Sequence, residues 1–170
     1  EGIIKNIKSE LNQKKIFVED KALLKYTHQE NYFNDFDKQV LLPHKLSQLG
    51  PALAKGDING DGLEDLFIGG ASGQEASLYI QNGNSFKKIE NDIWTKHKSL
   101  EDVDAVFFDS DNDGDLDLYV VSGGNEFKPN SSTYLDRLYL NDGLGNFIFK
   151  RDLLPSIYES GSVVKPFDFD

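Results

Sequence analysis

The sequence predicts a mostly β fold built from a repeated unit. Short runs of Val, Ile, Leu, Phe and Tyr recur along the chain, and aromatic residues make up 12% of it, as the half-buried faces of β-sheets require. Between such runs lie two Asp-rich stretches of similar pattern, at residues 57–65 and 109–117. At 170 residues the chain is long enough for one domain with a substantial core.

The two Asp-rich stretches share the pattern D-x-[DN]-x-D-G-x-x-D, which places oxygen side chains at positions 1, 3, 5 and 9. Calcium takes several oxygen ligands at once, so a short loop must turn alternate side chains inward around a glycine that tolerates positive φ. We therefore predict two calcium sites, with Gly62 and Gly114 at the turns and a backbone carbonyl from position 7. The predicted ligands are Asp57, Asn59, Asp61, Leu63 and Asp65 in the first loop, and Asp109, Asp111, Asp113, Asp115 and Asp117 in the second.

An EF-hand opens with the same ligand positions, but it also needs a bidentate Glu at position 12 and a helix on each side. Position 12 is Ile68 in the first loop and Val120 in the second, and neither side chain can bind a metal. An apolar run and a Gly-Gly pair follow each loop instead, which is typical of a strand and a turn. Asp, Asn and Gly are also common in ordinary turns, but a turn does not require oxygen donors at all four positions in two copies.

Composition excludes several other classes of function. The net charge is −11, so the phosphate backbone of a nucleic acid would be repelled. No cysteine is present, which excludes disulfides and thiolate metal sites, and no apolar run approaches the length of a membrane-spanning helix. His28, His44 and His97 follow no metal-binding spacing, so we expect them to be structural or surface residues.

The chain repeats from residue 50 onward. Asp57, Asp109 and Asp168 begin three copies of the loop, 52 and 59 residues apart. The first two copies continue with a Leu-Tyr-[Ile/Leu] strand, an Asn-Gly or Asp-Gly turn, and a returning strand that contains Phe. Each unit therefore has four short antiparallel strands, as a propeller blade does.

The repeat divides the chain into an irregular N-terminal segment at 1–49, two complete blades at 50–100 and 101–160, and the truncated start of a third at 161–170. In the N-terminal segment, which would be a linker or the end of a preceding blade, we expect a strand at 16–18 and a helical turn at 22–26. The second blade carries eight extra residues in the loop at 125–133, where repeat proteins often place binding surface.

The third copy is expected to lack a working metal site. It supplies only Asp168 and Asp170, at positions 1 and 3, without the glycine turn. Two carboxylates alone cannot surround a calcium ion. The strand expected at 162–164 would have to pair with a neighbour, a second copy of the chain, or nothing.

Over about residues 50–170 the chain resembles the FG-GAP or VCBS repeats of integrin-α-like β-propellers. The features that carry the resemblance are the Asp-rich loop, the strand after it, the Gly-rich turn, the Leu-Tyr strand and the terminal Phe. It is most similar in character to bacterial secreted or surface proteins with such repeats, some of which carry an ASPIC/UnbV-type region elsewhere. The resemblance implies a seven-bladed propeller with calcium between the first two strands of a blade. It also implies an extracellular, cell-surface or periplasmic location. Because the chain begins at Glu1 and has no Met, we expect a piece of a longer protein whose export signal would have been removed.

Two classes of function remain open. The favoured one is a calcium-binding adhesion or scaffold module that meets a protein or glycan through its inter-strand loops. The alternative is part of a carbohydrate-active or other hydrolytic enzyme with its catalytic residues outside this fragment, since the pairs Asp102/Asp104 and Glu126/Asp136 belong to no nucleophile motif. A deep pocket with convergent polar groups would favour the enzyme, and a flat, loop-rimmed face would favour the module.

Overall fold

A computed structural model describes residues 23–168. This range holds two four-stranded antiparallel sheets whose strands follow one another in chain order. The first sheet comprises β1 (Leu53–Gly56), β2 (Asp65–Ile68), β3 (Ser77–Asn82) and β4 (Ser85–Ile89), and the second comprises β5 (Asp102–Phe108), β6 (Asp117–Ser122), β7 (Arg137–Leu140) and β8 (Ile148–Phe149). The predicted all-β fold with two four-stranded units is confirmed.

The central strands carry the residues that build the core. Phe67 of β2 pairs with Leu78 of β3, and Leu118 of β6 pairs with Tyr139 of β7. All four side chains are buried and belong to one cluster shared by both sheets. Large apolar side chains paired across neighbouring strands are the unit of sheet stabilisation, so the two sheets are held together by a continuous apolar layer.

A short helix that the sequence analysis did not predict seals this layer. Helix α1 spans Asp92–His97, and the Asn91 side chain caps it by accepting the backbone N–H two residues on, at 3.0 Å. Trp94 on this helix is 3% exposed. Its ring centroid lies 5.4 Å from that of Phe67 in the first sheet and 5.2 Å from that of Tyr139 in the second. The helix thus places one large aromatic side chain against both sheets.

A buried ion pair joins the sheets at the strand ends opposite the Asp-rich loops. Arg137 is 3% exposed, and its Nη2 donates to Asp102 Oδ1 at 2.5 Å and to Ser122 Oγ at 3.1 Å. The other Asp102 oxygen accepts the backbone N–H of Gly70 at 2.9 Å. Because Gly70 follows β2 and Asp102 begins β5, this carboxylate ties the first sheet to the second.

The three histidines lie apart from the Asp-rich loops. His97 Nδ1 is 2.8 Å from the Tyr139 hydroxyl, and burial, followed by the charge of Arg137, lowers the pKa of His97 to about 4. His28 Nε2 is 2.7 Å from Glu30 Oε1, while His44 is exposed. His97 and His28 thus have structural roles through their side-chain contacts, and His44 is a surface residue.

The N-terminal segment differs from its sequence prediction. Residues 23–34 carry no helix, so the helical turn expected at 22–26 is not formed in the described residues, and the strand expected at 16–18 lies outside them. The segment lies over the loops that follow β2 and β6 instead. The Tyr26 hydroxyl donates to the Gly69 carbonyl at 3.1 Å, and Lys38 Nζ donates to the Glu126 carbonyl at 2.7 Å. These contacts with distant residues decide its irregular path.

The strand expected at 162–164 is also absent, and residues 161–168 have no regular structure. The Gly161 N–H donates to the Ser122 carbonyl at 2.9 Å, and the Val164 N–H donates to Asp104 Oδ2 at 2.9 Å. A strand needs a ladder of backbone partners. Here a side-chain carboxylate takes the place of one rung, so no ladder forms.

The remaining regular structure in the described part of the chain is three 3-10 turns, at Asp35–Asp37, Ser132–Tyr134 and Arg151–Leu153. None of the helices within residues 23–168 has the length and apolar composition needed to span a membrane.

Candidate metal centre

The second Asp-rich loop connects β5 to β6 and brings three carboxylates together. One oxygen from each of Asp109, Asp111 and Asp117 lies within 4.8 Å of the other two. Among residues 23–168 no other set of three or more acidic, His or Cys side chains meets this spacing. Gly114 has φ +95°, so the predicted glycine turn at position 6 is confirmed.

Backbone donors hold the first carboxylate of this loop in place. Asp109 Oδ1 accepts the N–H of Asn112 at 2.7 Å, and Oδ2 accepts that of Gly114 at 3.0 Å. Asn112, at position 4, has φ +68°, and its counterpart in the first loop, Gly60, has φ +73°. Position 4 therefore needs a left-handed residue in both loops, a requirement the sequence analysis missed although Gly and Asn are the residues that meet it.

Asp113 and Asp115 lie outside the set of three. Asp113 Oδ1 accepts the N–H of Asp115 at 2.9 Å. The Asp115 carboxylate packs against Gly143 in the turn after β7, where an added Cβ would be only 2.5 Å from Asp115 Oδ2. The Asp115 carboxylate thus contacts the turn after β7 and is not one of the three that come together, so its backbone carbonyl is the ligand predicted for position 7.

The carboxylates of the second loop repel one another. The pKa of Asp111 is raised, first by partial desolvation and then by the carboxylates of Asp113 and Asp117. A bound divalent cation would relieve this repulsion. Carboxylate and carbonyl oxygens are also the donors that a hard cation such as calcium takes, so the residues of this loop fit the ion that the pattern predicts.

The first loop is held mainly by its own hydrogen bonds. Asp57 accepts the N–H groups of Gly62 at 2.8 Å, Gly60 at 2.8 Å and Asp61 at 3.1 Å. These bonds, that of Gly62 above all, lower the pKa of Asp57. The Asn59 amide donates to Asp61 Oδ2 at 3.2 Å. Donors within this loop therefore already satisfy much of the oxygen surface that an ion would use.

Asp65, at position 9 of the first loop, has a structural role in addition to its predicted role as a calcium ligand. Asp65 is fully buried, and burial raises its pKa. Its Oδ2 accepts the Ile58 N–H at 3.1 Å and its Oδ1 accepts the Gln81 N–H at 2.8 Å. The carboxylate therefore fastens the start of the loop to β3, at the residue directly after Leu-Tyr-Ile.

Asp117 repeats this arrangement in the second loop and adds a link between the sheets. Its Oδ2 accepts the Ser110 N–H at 3.0 Å and also contacts the Ser110 hydroxyl, and its Oδ1 accepts the Asn141 N–H at 2.8 Å. The Asn141 amide then donates to the carbonyls of Ile58 at 2.7 Å and Leu116 at 3.1 Å. Asn141 thus connects the two loops. Its fixed offset after the Leu-Tyr strand, shared with Gln81, is the sequence signal that could have identified it.

The third copy of the loop is described only in part, because Asp170 lies outside the described residues. Asp168 lies with Asp109 and Ser110 around a surface cavity of 780 Å³ beside the second loop. The absence of a working third site stays a prediction.

The insertion in the loop at 125–133 forms one wall of a different surface cavity, of 550 Å³. Lys38 of the N-terminal segment lines it together with Phe127, Tyr134 and Tyr158. The Lys38 ammonium donates to three successive carbonyls at 125–127, at 2.7 to 3.3 Å. The insertion is thereby fixed as an aromatic, loop-rimmed surface.

Comparison with protein families agrees with this repeat geometry. Residues 57–120 match the model of the FG-GAP-like repeat. The match runs from the first Asp of the first loop into β6, so it includes both Asp-rich loops. It supports an FG-GAP repeat protein, as the resemblance in the sequence implied. No curated protein matches the chain.

The two loops should differ in affinity. The second presents four carboxylates at its side-chain ligand positions and the first presents three, and the charge count of the ligands tunes calcium affinity. We expect both Asp113→Ala and Asp61→Ala to raise the Kd of their own loop for calcium. The factor should be larger for Asp113→Ala, by on the order of tenfold. Titration calorimetry on the two single variants measures both losses. Equal or reversed losses would mean that loop rigidity outweighs charge.

Proposed function

We propose that the chain is a calcium-binding repeat module of an extracellular, cell-surface or periplasmic protein, and that it presents its loops to a protein or glycan partner. The observation that carries the proposal is the set of three carboxylate oxygens within 4.8 Å in the Asp109 loop. The match to the FG-GAP-like repeat suggests a propeller-like interaction module. Calcium at millimolar levels outside cells suits loops of this kind.

The surface around the insertion supports the interaction part of the proposal. Phe127 and Tyr134 pack edge to face, with ring centroids 5.9 Å apart, and the Tyr134 hydroxyl accepts the Phe127 N–H at 3.1 Å. Tyrosines with a fixed apolar face and a polar tip suit both protein and glycan contacts. The insertion therefore offers a rigid contact surface on one side of the repeat.

The hydrolase alternative has less support because three of the four carboxylates considered for it hold the fold. Asp102 pairs with Arg137, Asp104 accepts the N–H of Val164, and Asp136 accepts the Tyr119 hydroxyl and the Ser122 N–H, both at 2.9 Å. An acid–base pair needs carboxyl groups directed at a substrate. We therefore propose the interaction module rather than the enzyme.

Calcium should stabilise the folded chain. An ion that binds only the native state adds RT ln(1 + [L]/Kd), which is about 2.7 kcal/mol per site at a hundredfold excess over Kd. Thermal unfolding in chelator and then in excess calcium should show a clear rise of the midpoint. The Asp61→Ala/Asp113→Ala double variant is the control, because its midpoint should respond much less. An unchanged midpoint in the wild-type chain would contradict the proposal.

A further inference from the structure

A buried acidic group lies far from the Asp-rich loops. Glu101, in the turn before β5, is 1% exposed. Its Oε2 accepts the Ser72 N–H at 2.6 Å, whereas its Oε1 is buried with no hydrogen-bond partner in the described residues. A buried polar oxygen without a partner is costly, so the surroundings of Oε1 need an explanation.

The N-terminal segment carries further buried oxygen acceptors. Oε2 of Glu30 and Oδ1 of Asn31 are also buried with no partner among residues 23–168. The Asn31 amide donates to Glu126 Oε1 at 2.7 Å. A Cβ added at Gly124 would lie 3.4 Å from the Cγ of Glu101 and 3.9 Å from that of Glu126, so these two side chains flank the same glycine. Glu101, Glu126 and the Asn31 amide are thus neighbours around Gly124, and the charge of Glu30 also acts on Glu101.

Positive charge is scarce there. Within residues 23–168 no Lys, Arg or His nitrogen lies within 4.0 Å of a carboxylate oxygen of Glu101 or Glu126, and the partner of Glu30 is His28. Burial, with smaller contributions from the charges of Glu30 and Glu126, raises the pKa of Glu101 to about 8. Glu101 and Glu126 therefore have no cationic partner in the described residues, although Lys98 lines the cavity beside Glu30.

A surface cavity of 500 Å³ lies beside the part of the N-terminal segment that carries Glu30 and Asn31. Glu30, Asn31 and Ser72 line it, and Ser72 is the residue whose N–H holds Glu101. An ion of small radius could therefore enter from solvent on the side of the N-terminal segment. The Asp-rich loops connect β1 to β2 and β5 to β6, whereas Glu101 lies in the turn before β5 and Ser72 in the loop after β2, so the two kinds of site occupy opposite ends of the sheets.

We propose that Glu101, Glu30, Glu126 and the Asn31 side-chain oxygen form an additional site for a hard divalent cation, separate from the two Asp-rich loops. Oxygen donors of this kind suit calcium or magnesium. Because only the Asp109 loop gathers three carboxylates within 4.8 Å, Glu30 and Glu126 must close toward Glu101 when the ion binds. Binding at this site therefore draws the N-terminal segment onto the sheets.

Ion counting tests the site with calcium alone as the probe. In equilibrium dialysis at millimolar calcium, the Glu101→Gln chain should bind one ion fewer than the wild-type chain. Gln keeps an oxygen for the Ser72 N–H and removes the charge. Glu75→Gln is the matched control: Glu75 lines the same cavity, but its carboxylate is already held by Thr95 at 2.8 Å and Lys88 at 3.3 Å. Its ion count should equal that of the wild type.

The same count separates this site from the loops. The Asp61→Ala/Asp113→Ala chain should still bind one ion, and adding Glu101→Gln should remove it. If Glu101→Gln does not fold, Glu126→Gln replaces it with the same expectation. The proposal is overturned if the loop double variant binds no ion, or if the count is unchanged in the folded Gln variant. If the wild-type chain binds only the ion that depends on Glu101, the assignment of the two loops is wrong and this site stands.

Discussion

Replacement of Asp102 by Ala should lower the free energy of unfolding by about 3–5 kcal/mol, the usual cost of removing one partner from a buried ion pair. Arg137 would keep its charge at 3% exposure without a counterion, and the Gly70 N–H would lose its acceptor. Urea unfolding followed by far-UV circular dichroism measures the change. Asp104→Ala on the same strand is the control, because its carboxylate has no cationic partner in the described residues and its loss should cost about 1–2 kcal/mol.

A second variant identifies the cause of that loss. If the unpaired charge of Arg137 is responsible, replacing both residues with apolar ones, as in Asp102→Leu/Arg137→Met, should recover much of the stability lost in Asp102→Ala. A double variant no more stable than the single one would instead assign the loss to the Gly70 N–H and to packing at the junction of the two sheets.

This ion pair shows where sequence reasoning reaches its limit. Asp102 was considered only as half of a candidate acid–base pair with Asp104, since nothing local connects it to Arg137, 35 residues away. Trp94 is a similar case, because its six-residue helix follows the first sheet without a repeat partner in the pattern. Both features depend on how the two sheets pack, and side-chain spacing along the chain does not encode that packing.

The strands and loops, by contrast, were predictable because their signals are local. Each apolar run after an Asp-rich loop formed a strand, and Gly62 and Gly114 both took the positive φ that position 6 requires. The strand expected at 162–164 failed for a physical reason: a strand exists only with a neighbour to pair with. The Val164 N–H found the Asp104 carboxylate instead.

The sequence predicted which residues supply the metal ligands, but it did not predict how the loops are attached to the sheets. The pattern indicated that alternate oxygens turn inward, and the structure brings Asp109, Asp111 and Asp117 together. It did not indicate that position 9 also anchors the loop to the end of the Leu-Tyr strand, because the backbone N–H groups that it binds carry no side-chain signature. The repeated contact, in Asp65 and in Asp117, shows that this anchor belongs to the unit.

Asp117→Ala should therefore destabilise the protein even in chelator, where no ion can be lost. The substitution leaves two backbone N–H groups, of Ser110 and Asn141, without their acceptor beside a residue that is 1% exposed. At about 1–3 kcal/mol for each buried donor, the expected loss is about 2–6 kcal/mol. Asp117→Asn keeps one oxygen acceptor and should lose about half as much. Urea unfolding in chelator gives the order of stability.

Asp113→Ala is the matched control for this dual role. Asp113 is exposed, and the one hydrogen bond that its carboxylate accepts comes from the Asp115 N–H in its own loop. Its loss should weaken calcium binding while changing stability in chelator by less than about 1 kcal/mol. Asp117→Ala should weaken calcium binding and also lower the stability in chelator. If Asp117→Ala is as stable as wild type in chelator and differs only when calcium is added, position 9 acts on the ion alone and the anchor contributes nothing to the fold.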